Sequence, residues 1–570
     1  MDLGISTQSR DDQINQNTQT AQLSREPAVL FVSGSSSDAN LESEEGNRVD
    51  AAVQITTGGC LQIQKSYSEN DSPSRNRILE ARLDGGVIYD TPRHEDCCET
   101  FTVDKAVDQL GFGRFQLFLS LLCGLAWIVD AMETMLLSVL APALLCEWRL
   151  TAFQEAMVTV TVFTGMFVAS SFWGVIADKF GRKFSLVLSS CLTFYFGALT
   201  AFSPNFYWVL VLRGLTGAGI AGAPQAVTIY SEFLPTVYRA RAIVLLEVFW
   251  AWGTILAVTL ALLVMPGLGW RYFVFFCALP VLVFNLLCYW LPESARFYMV
   301  SGDKEAALKT IRQIAHWNQK PMPLGELVDD NAFGKDKDVD QEEGVESDRR
   351  GTFGQLFNKE FLLTTTILWM LWFVAAASYY GIVLSTTEIF SELSASEEKC
   401  VTKAQDSDDE CWATCQELDT DDYLDILWTT LAEFPGLLIA LVLVELFGRK
   451  RAIAMEFVLF GVFAFIVSIC MPRGLVTFIL FTSRAFVVAA FQTVYVYTCE
   501  IYPTTIRAIG VGSGSGISRV GAMVTPFIAQ VLLKKSIQAS MGVYFLLGAV
   551  AAVGALFLPT ETKGRGMRST

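Results

Sequence analysis

From about Phe115 onward the chain alternates long apolar runs with short polar breaks, and each run is close to twenty residues long. A helix of about 20 residues rises about 30 Å, the thickness of the hydrocarbon core of a bilayer. The pattern predicts about twelve membrane-spanning helices, over 115–140, 154–176, 184–203, 206–230, 242–265, 271–291, 361–387, 423–446, 452–471, 474–498, 508–532 and 540–558. Ahead of them the first ninety residues are rich in Ser, Asn, Gln and Asp and read as a disordered tail. In "TFTVDKAVDQLGFG" the tail ends with Val103, Ala106, Val107 and Leu110 at helical spacing. That spacing predicts a short amphipathic helix lying on the membrane surface.

The polar breaks repeat. "DKFGRK" at 178–183 returns as "ELFGRK" at 445–450, "EFLPTVYR" at 232–239 as "EIYPTTIR" at 500–507, and "LPESAR" at 291–296 as "LPTETK" at 558–563. All three recur at an offset of 267 or 268 residues, in one order. The chain is therefore expected to be an all-α protein of two homologous six-helix halves. They occupy 111–291 and 361–558, preceded by the tail 1–110, joined by an acidic linker 292–360 and followed by a short tail 559–570. Gly181 and Gly448 permit a tight turn after the second helix of each half, while Arg182 and Arg449 find water and phosphates there. Asp178 and Glu445 are placed to pair with cations or helix N-termini of the neighbouring bundle and so to act in gating.

Charge sets the orientation. Lys179, Arg182 and Lys183, then Arg239 and Arg241, then Arg449, Lys450 and Arg451 fall in alternate loops, which places both termini and the linker in the cytosol. The loop 389–422 then faces the lumen or the outside. On that side lie Cys146, Cys400, Cys411 and Cys415, an even number in an oxidising compartment, which permits disulfides without fixing their pairing. A net charge of −16 does not suggest a nucleic-acid partner. With two histidines, both in predicted cytosolic segments, and none in the outer loops, neither a metal site nor an enzyme is expected. No G-x-x-x-x-G-K-[ST] loop is present to bind ATP, and no cofactor is implied.

Ionisable groups inside the runs cost about 3 kcal/mol each on insertion scales, so they mark candidate sites. Asp130 and Glu133 in "WIVDAMETM" share one face of the first helix, and two close carboxylates suit proton or cation coupling. Arg213 and Arg484 occupy corresponding positions in the fourth and tenth helices, with Glu247 and Glu433 as available partners for structural pairs. "RGLTGAGIAGAP" allows close helix approach through Gly217, Gly219 and Gly222. Aromatic residues gather in "EVFWAWG" and "WMLWFVAAASYYG"; Trp372 and Tyr379 share a face, with Tyr380 one position away, and such rings can stack on flat or cationic solutes.

Two parallel six-helix repeats with "GVIADKFGRK", "PESAR" and "PTETKG" resemble the major facilitator superfamily. "GLAWIVDAMETMLLSVLAP", "SYYGIVLSTTEIF" and "LWTTLAEFPG" narrow the resemblance to its synaptic vesicle two and organic-ion transporter branch. The resemblance implies a central cavity lined by Asp130, Glu133, Trp250, Trp372, Tyr379 and Tyr380, with Glu433 expected beside them, and a setting in a synaptic or other vesicle membrane. It implies alternating access with a small organic solute as partner. The seventh helix lacks the Gln- and Asn-rich pattern of sugar porters, which argues against a hexose. A second reading makes the chain a transporter-shaped vesicle protein that senses a nucleotide or ligand, or binds trafficking partners through its tail. A transporter requires its cavity acids; a scaffold requires the tail and the acidic stretch 329–348.

Overall fold

The computed structural model describes residues 100–328, 352–395 and 418–563, together with three short strands in the tail. Those strands, β1 (Leu30–Phe31), β2 (Ala51–Ile55) and β3 (Leu61–Lys65), form an antiparallel sheet with Leu30 opposite Val53 and Val53 opposite Ile63. The rest of the tail expected to be disordered, the acidic stretch 329–348, and Cys400, Cys411 and Cys415 lie outside the described residues.

Eleven of the described helices are long and apolar enough to cross a membrane. In the first half they are Arg114–Trp148, Ala152–Phe180, Arg182–Thr200, Phe206–Glu232, Thr236–Leu268 and Trp270–Trp290. The second half supplies Leu362–Ser394, Thr420–Phe447, Arg473–Ile501, Thr505–Lys535 and Ile537–Leu556. The remaining expected span is present as the helix Arg449–Ile466, but it opens on Arg449, Lys450 and Arg451 and carries a buried Glu456, so it lacks the required run of apolar residues. Counted in order with that helix as the ninth, the elements are called spans one to twelve below.

Local chemistry explains the boundaries. Thr151 and Gln154 form a capping box that starts span two. Span four breaks between Ile220 and Pro224, and span eight between Thr430 and Glu433; Pro224 and Pro435 lack the N–H that would bond the carbonyls of Ile220 and Leu431 four residues back. Spans two and four meet backbone to backbone: a Cβ on Gly217 would lie 2.1 Å from the Val162 carbonyl oxygen.

The helix Val103–Leu110 forms as its periodicity predicts, and its apolar face is covered by protein. Its apolar residues Val103, Ala106, Val107 and Leu110 are all buried in protein, in one cluster with Ile311 and Ile314 of the linker helix Lys304–Asn318. Polar clasps complete the contact. Asp104 pairs with Arg296 and, at 3.8 Å, with Arg239. Asp108 accepts the Thr236 N–H at 2.7 Å and so caps span five. Asn318 accepts the Phe115 N–H at 3.1 Å and donates to Gln116 at 2.9 Å. A surface helix and a buried one share the same periodicity; here the linker supplies the apolar partner before lipid can.

The three repeated motifs converge at one end of each half, the motif end. Glu293 accepts the backbone N–H groups of Arg182 (3.2 Å) and Lys183 (3.0 Å), the N-terminus of span three. Glu561 does the same for Arg449 (2.9 Å) and Lys450 (3.1 Å) in span nine. Arg182 also pairs with Glu232 at 3.3 Å, and Arg449 with Glu500 through two bonds of 2.7 and 2.9 Å. Neither Asp178 nor Glu445 pairs with the neighbouring bundle among the described residues of this form. Asp178 is mostly exposed and reaches only Arg182 of its own half, at 3.6 Å. Glu445 is exposed and enters none of the ion pairs among the described residues. The helix N-termini go instead to Glu293 and Glu561, whose carboxylates each span two adjacent amides. Burial pushes the Glu293 carboxyl above its ordinary value, against the N–H groups and Arg182 that lower it. At Glu561 burial acts the same way, but four backbone N–H groups carry the carboxyl below its ordinary value.

Gly181 and Gly448 are required by this arrangement. Their φ values are +100° and +82°, and a Cβ would lie 2.3 Å from Glu293 Oε2 or 2.9 Å from Glu561 Cδ. Gly181→Ala and Gly448→Ala should each lower unfolding stability by about 1–3 kcal/mol. Gly174→Ala, at a helical position with nothing within 4 Å, should not; thermal unfolding in detergent compares the three.

Candidate functional site: the seam between the halves

Buried clusters show where the halves meet. At the motif end each cluster belongs to one half: Phe115, Phe233 and Phe284 to the first, Leu371, Tyr497 and Tyr502 to the second. In the middle and toward the opposite, far end, one cluster joins both, with Met135, Leu136 and Val139 of span one alongside Ile382, Val383 and Phe390 of span seven. Direct contacts follow the same division. Phe163 meets Tyr380 at 4.7 Å, Trp252 meets Phe434 at 5.6 Å and Phe153 meets Phe527 at 5.7 Å. Among the described residues every hydrogen bond, ion pair or ring contact that joins the halves lies in the middle or at the far end. The structure is closed at the far end and parted at the motif end.

The predicted charges sort themselves at this seam. Glu133 Oε2 accepts from Arg213 Nη1 at 2.9 Å, with both side chains about 1% exposed. Glu433 accepts from Arg484 Nε at 3.1 Å and Nη2 at 2.9 Å, and Arg484 Nη1 donates to Thr430 at 3.2 Å. Two intramembrane pairs form, as expected, but Arg213 takes Glu133 rather than Glu247. Glu133 thus has a cation bonded to it, while Asp130 forms no ion pair among the described residues. Asp130 is buried, with Oδ1 lacking a hydrogen-bond partner. It lines a small, largely apolar cleft of the first half that also holds Ser189, Ser190 and Thr193. Its nearest compensating charge is Arg519 of span eleven, which also reaches the Tyr380 hydroxyl.

Glu247 remains half-buried beside Trp127 and Gln492, with the carboxylates of Glu433 and Asp130 among its charged neighbours, and it forms no ion pair among the described residues. The seam thus carries Asp130, Glu133, Glu247 and Glu433 against Arg213, Arg484 and Arg519, an excess of one carboxylate.

Trp127 adjoins that carboxylate and leads into a chain of rings. Trp250 Nε1 donates to the Tyr379 hydroxyl at 2.8 Å, and that hydroxyl donates to Glu433 Oε1 at 2.9 Å. A relay therefore runs from span five through seven and eight to Arg484 in ten, crossing between the halves. Trp127 stands edge-on to Trp250 at 6.2 Å. Tyr379 and Trp372 both contact Phe491, at 6.2 and 5.7 Å, and so share a face as their spacing predicts. Trp372 itself packs inside the second half: it is buried, donates to Thr498 at 3.1 Å and lies against Gly514. Sequence reasoning missed Arg519, Trp127, Gln492 and Phe491. Arg519 was the findable one, a lone cation in the apolar "GISRVGAMV" run.

Cysteines add a covalent constraint at the far end. Cys146 is disulfide-bonded, as its predicted side allows, and so is Cys470, which the outer-side count omitted.

A family profile described as "Sugar (and other) transporter" matches residues 98–404 and 418–569. The chain belongs to that transporter family. It is 48% identical over 520 residues to the Synaptic vesicle 2-related protein of Xenopus laevis, covering 89% of this chain and 91% of that protein. Identity is 44% over 534 residues to the Putative transporter svop-1 of Caenorhabditis elegans (92% and 97% covered), and 36% over 478 residues to the Putative transporter SVOPL of Homo sapiens (82% and 94%). Among solved structures, the inward open xylose transporter XylE from E. coli superposes with a TM-score of 0.58 at 16% identity, over 79% of this chain and 98% of that one. A D-xylose-proton symporter follows with a TM-score of 0.57 at 17% identity, over 79% and 99%. The fold is that of the major facilitator superfamily, and the chain is a multi-pass membrane protein.

Breaking one partner of a buried pair strands the other as an uncompensated charge. Arg484→Met should therefore cost about 3–5 kcal/mol of unfolding stability, and adding Glu433→Gln should return a large part of it. Simply additive losses in a denaturation cycle would show that the two residues are not coupled.

Proposed function

We propose that this transporter carries a small organic cation by alternating access, binding it at the seam between Trp127, Trp250, Tyr379 and Glu247. The carrying observation is Glu247: a carboxylate at the meeting of the halves, beside Trp127 and one helical turn from Trp250, with no ion pair to it among the described residues. A solute with one positive charge balances that excess, and ring faces attract it by about 0.5–2 kcal/mol per good contact. A sugar would leave the carboxylate uncompensated, and an anion would add to it.

Coupling would run through the paired acids. Protonating Glu133 weakens its hold on Arg213, while Asp130 lies between a small cleft of its own half and Arg519 of the other. A proton taken up there changes the attraction between halves, which is what a coupled rocking motion requires. With the motif end in the cytosol, as the loop cations suggest, the present form opens to the cytosol. The relatives' names favour a vesicle membrane as the setting.

A thermal-shift screen of the purified protein against organic cations, organic anions and sugars tests this. Ligand at about 100 times its Kd should stabilise the fold by about 2.7 kcal/mol. Cations alone are expected to do so, and Glu247→Gln or Trp250→Ala should weaken the response about tenfold or more in Kd, about 1.4 kcal/mol. In proteoliposomes Glu133→Gln should leave uptake insensitive to a pH gradient. Stabilisation by sugars or anions that survives Glu247→Gln would sink the reading.

A further inference from the structure

A second group of buried charges bridges the halves at the far end, well away from the Glu247 site. Lys534, at the end of span eleven, donates to Glu155 Oε2 of span two at 2.5 Å and lies 3.4 Å from Glu388 Oε2 of span seven. Glu155 and Glu388 are 0% and 3% exposed. The two carboxyl groups also lie within hydrogen-bonding reach of each other. Two ionised carboxylates cannot share a hydrogen bond, because both are acceptors only. One lysine likewise cannot neutralise two buried carboxylates. Each acid retains a buried oxygen without a partner, Oε1 in both cases.

Among the described residues Lys534 is the one cation in ion-pair range of Glu155 and Glu388. Span seven adds only Glu392, which bears on Glu388 and Lys534 with the same negative sign. Span eleven contributes Gln530, one turn before Lys534, buried and with its own Oε1 unpartnered. The span is locally unwound into a π-helical turn at Phe527–Leu532, a feature frequent at functional sites. Span twelve has no charged residue, though its Tyr544 hydroxyl lies 2.8 Å from Thr525. Glu147, at the same end of span one, is taken up by Arg271 at 2.6 Å.

We propose that Glu155, Glu388 and Lys534 form a proton-binding latch, in which one proton shared by the two carboxyl groups holds the far end closed. With the proton present, the site carries one negative and one positive charge, and the shared hydrogen bond joins spans two and seven while Lys534 ties in span eleven. Removing it leaves two carboxylates facing each other across the boundary of the halves, beside the Phe153–Phe527 contact. The halves are then pushed apart at that end. In the transport cycle this would be the step that opens the far side, but the latch is readable without any solute.

Hydrogen–deuterium exchange of the full-length protein in lipid nanodiscs tests it, following 151–158 and 527–536 after correction for intrinsic exchange. Protection there should fall about tenfold or more between about pH 5 and about pH 8. Glu388→Gln mimics the protonated acid and leaves a balanced Glu155–Lys534 pair, so it should stay protected throughout. Glu155→Gln serves as the second variant should the first fail to fold, and Glu392→Gln should keep the wild-type response. Loss of the response in either latch variant supports the proposal. A flat wild-type profile, a response that survives in both latch variants, or one that is lost in Glu392→Gln overturns it. Because exchange needs no substrate, a failed uptake assay and a failed latch are separate results.

Discussion

A guanidinium or carboxylate held in hydrocarbon costs several kcal/mol unless an opposite charge stands beside it. This chain places Asp130, Glu133, Arg213, Glu247, Glu433, Arg484 and Arg519 within its spans, and the positions of those helices relative to one another follow from how the charges are settled. Glu133 ties span one to span four, and Glu433 ties span eight to span ten. Each of these pairs lies within one half and makes that half rigid. The weaker settlements, Asp130 toward Arg519 and Trp250 through Tyr379 to Glu433, run between the halves. Strong bonds inside each half and exchangeable ones between them are what a rocking machine needs.

The two ends of the seam are treated differently. At the motif end Arg182, Glu232 and Glu293 close on themselves, as do Arg449, Glu500 and Glu561, and nothing described reaches across. At the far end apolar packing is continuous and is reinforced by Lys534 between Glu155 and Glu388. The pre-span helix and the linker helix Lys304–Asn318 are clamped to spans one and five by Asn318, Asp108 and Asp104. Both therefore travel with the first half as it moves.

Much of this was legible in the sequence, because it depends on local or repeated signals. Apolar runs give the spans, and a common offset gives the halves. Asp130 and Glu133 share a helix face whatever surrounds them. What the sequence withheld were choices among partners on different helices. Arg213 had Glu247 and Glu433 in view as partners and took Glu133 of span one instead. Val103–Leu110 has an apolar face whose cover, lipid or protein, no local signal decides. Trp372 and Trp250 belong to similar aromatic clusters, yet one is packed inside a half and the other stands at the seam. Arg519 was visible as a lone intramembrane cation, but its role depends on Tyr380 and Asp130, far off in the chain.

The doubled capping arrangement has a historical consequence. Glu293 seats itself on the span three N-terminus and Glu561 on that of span nine, and each closes its circuit with residues of its own half alone. Neither half borrows charge from the other at that end. Such self-sufficiency is what a freestanding six-helix ancestor would have needed, pairing with a second copy of itself before gene fusion made the partnership permanent.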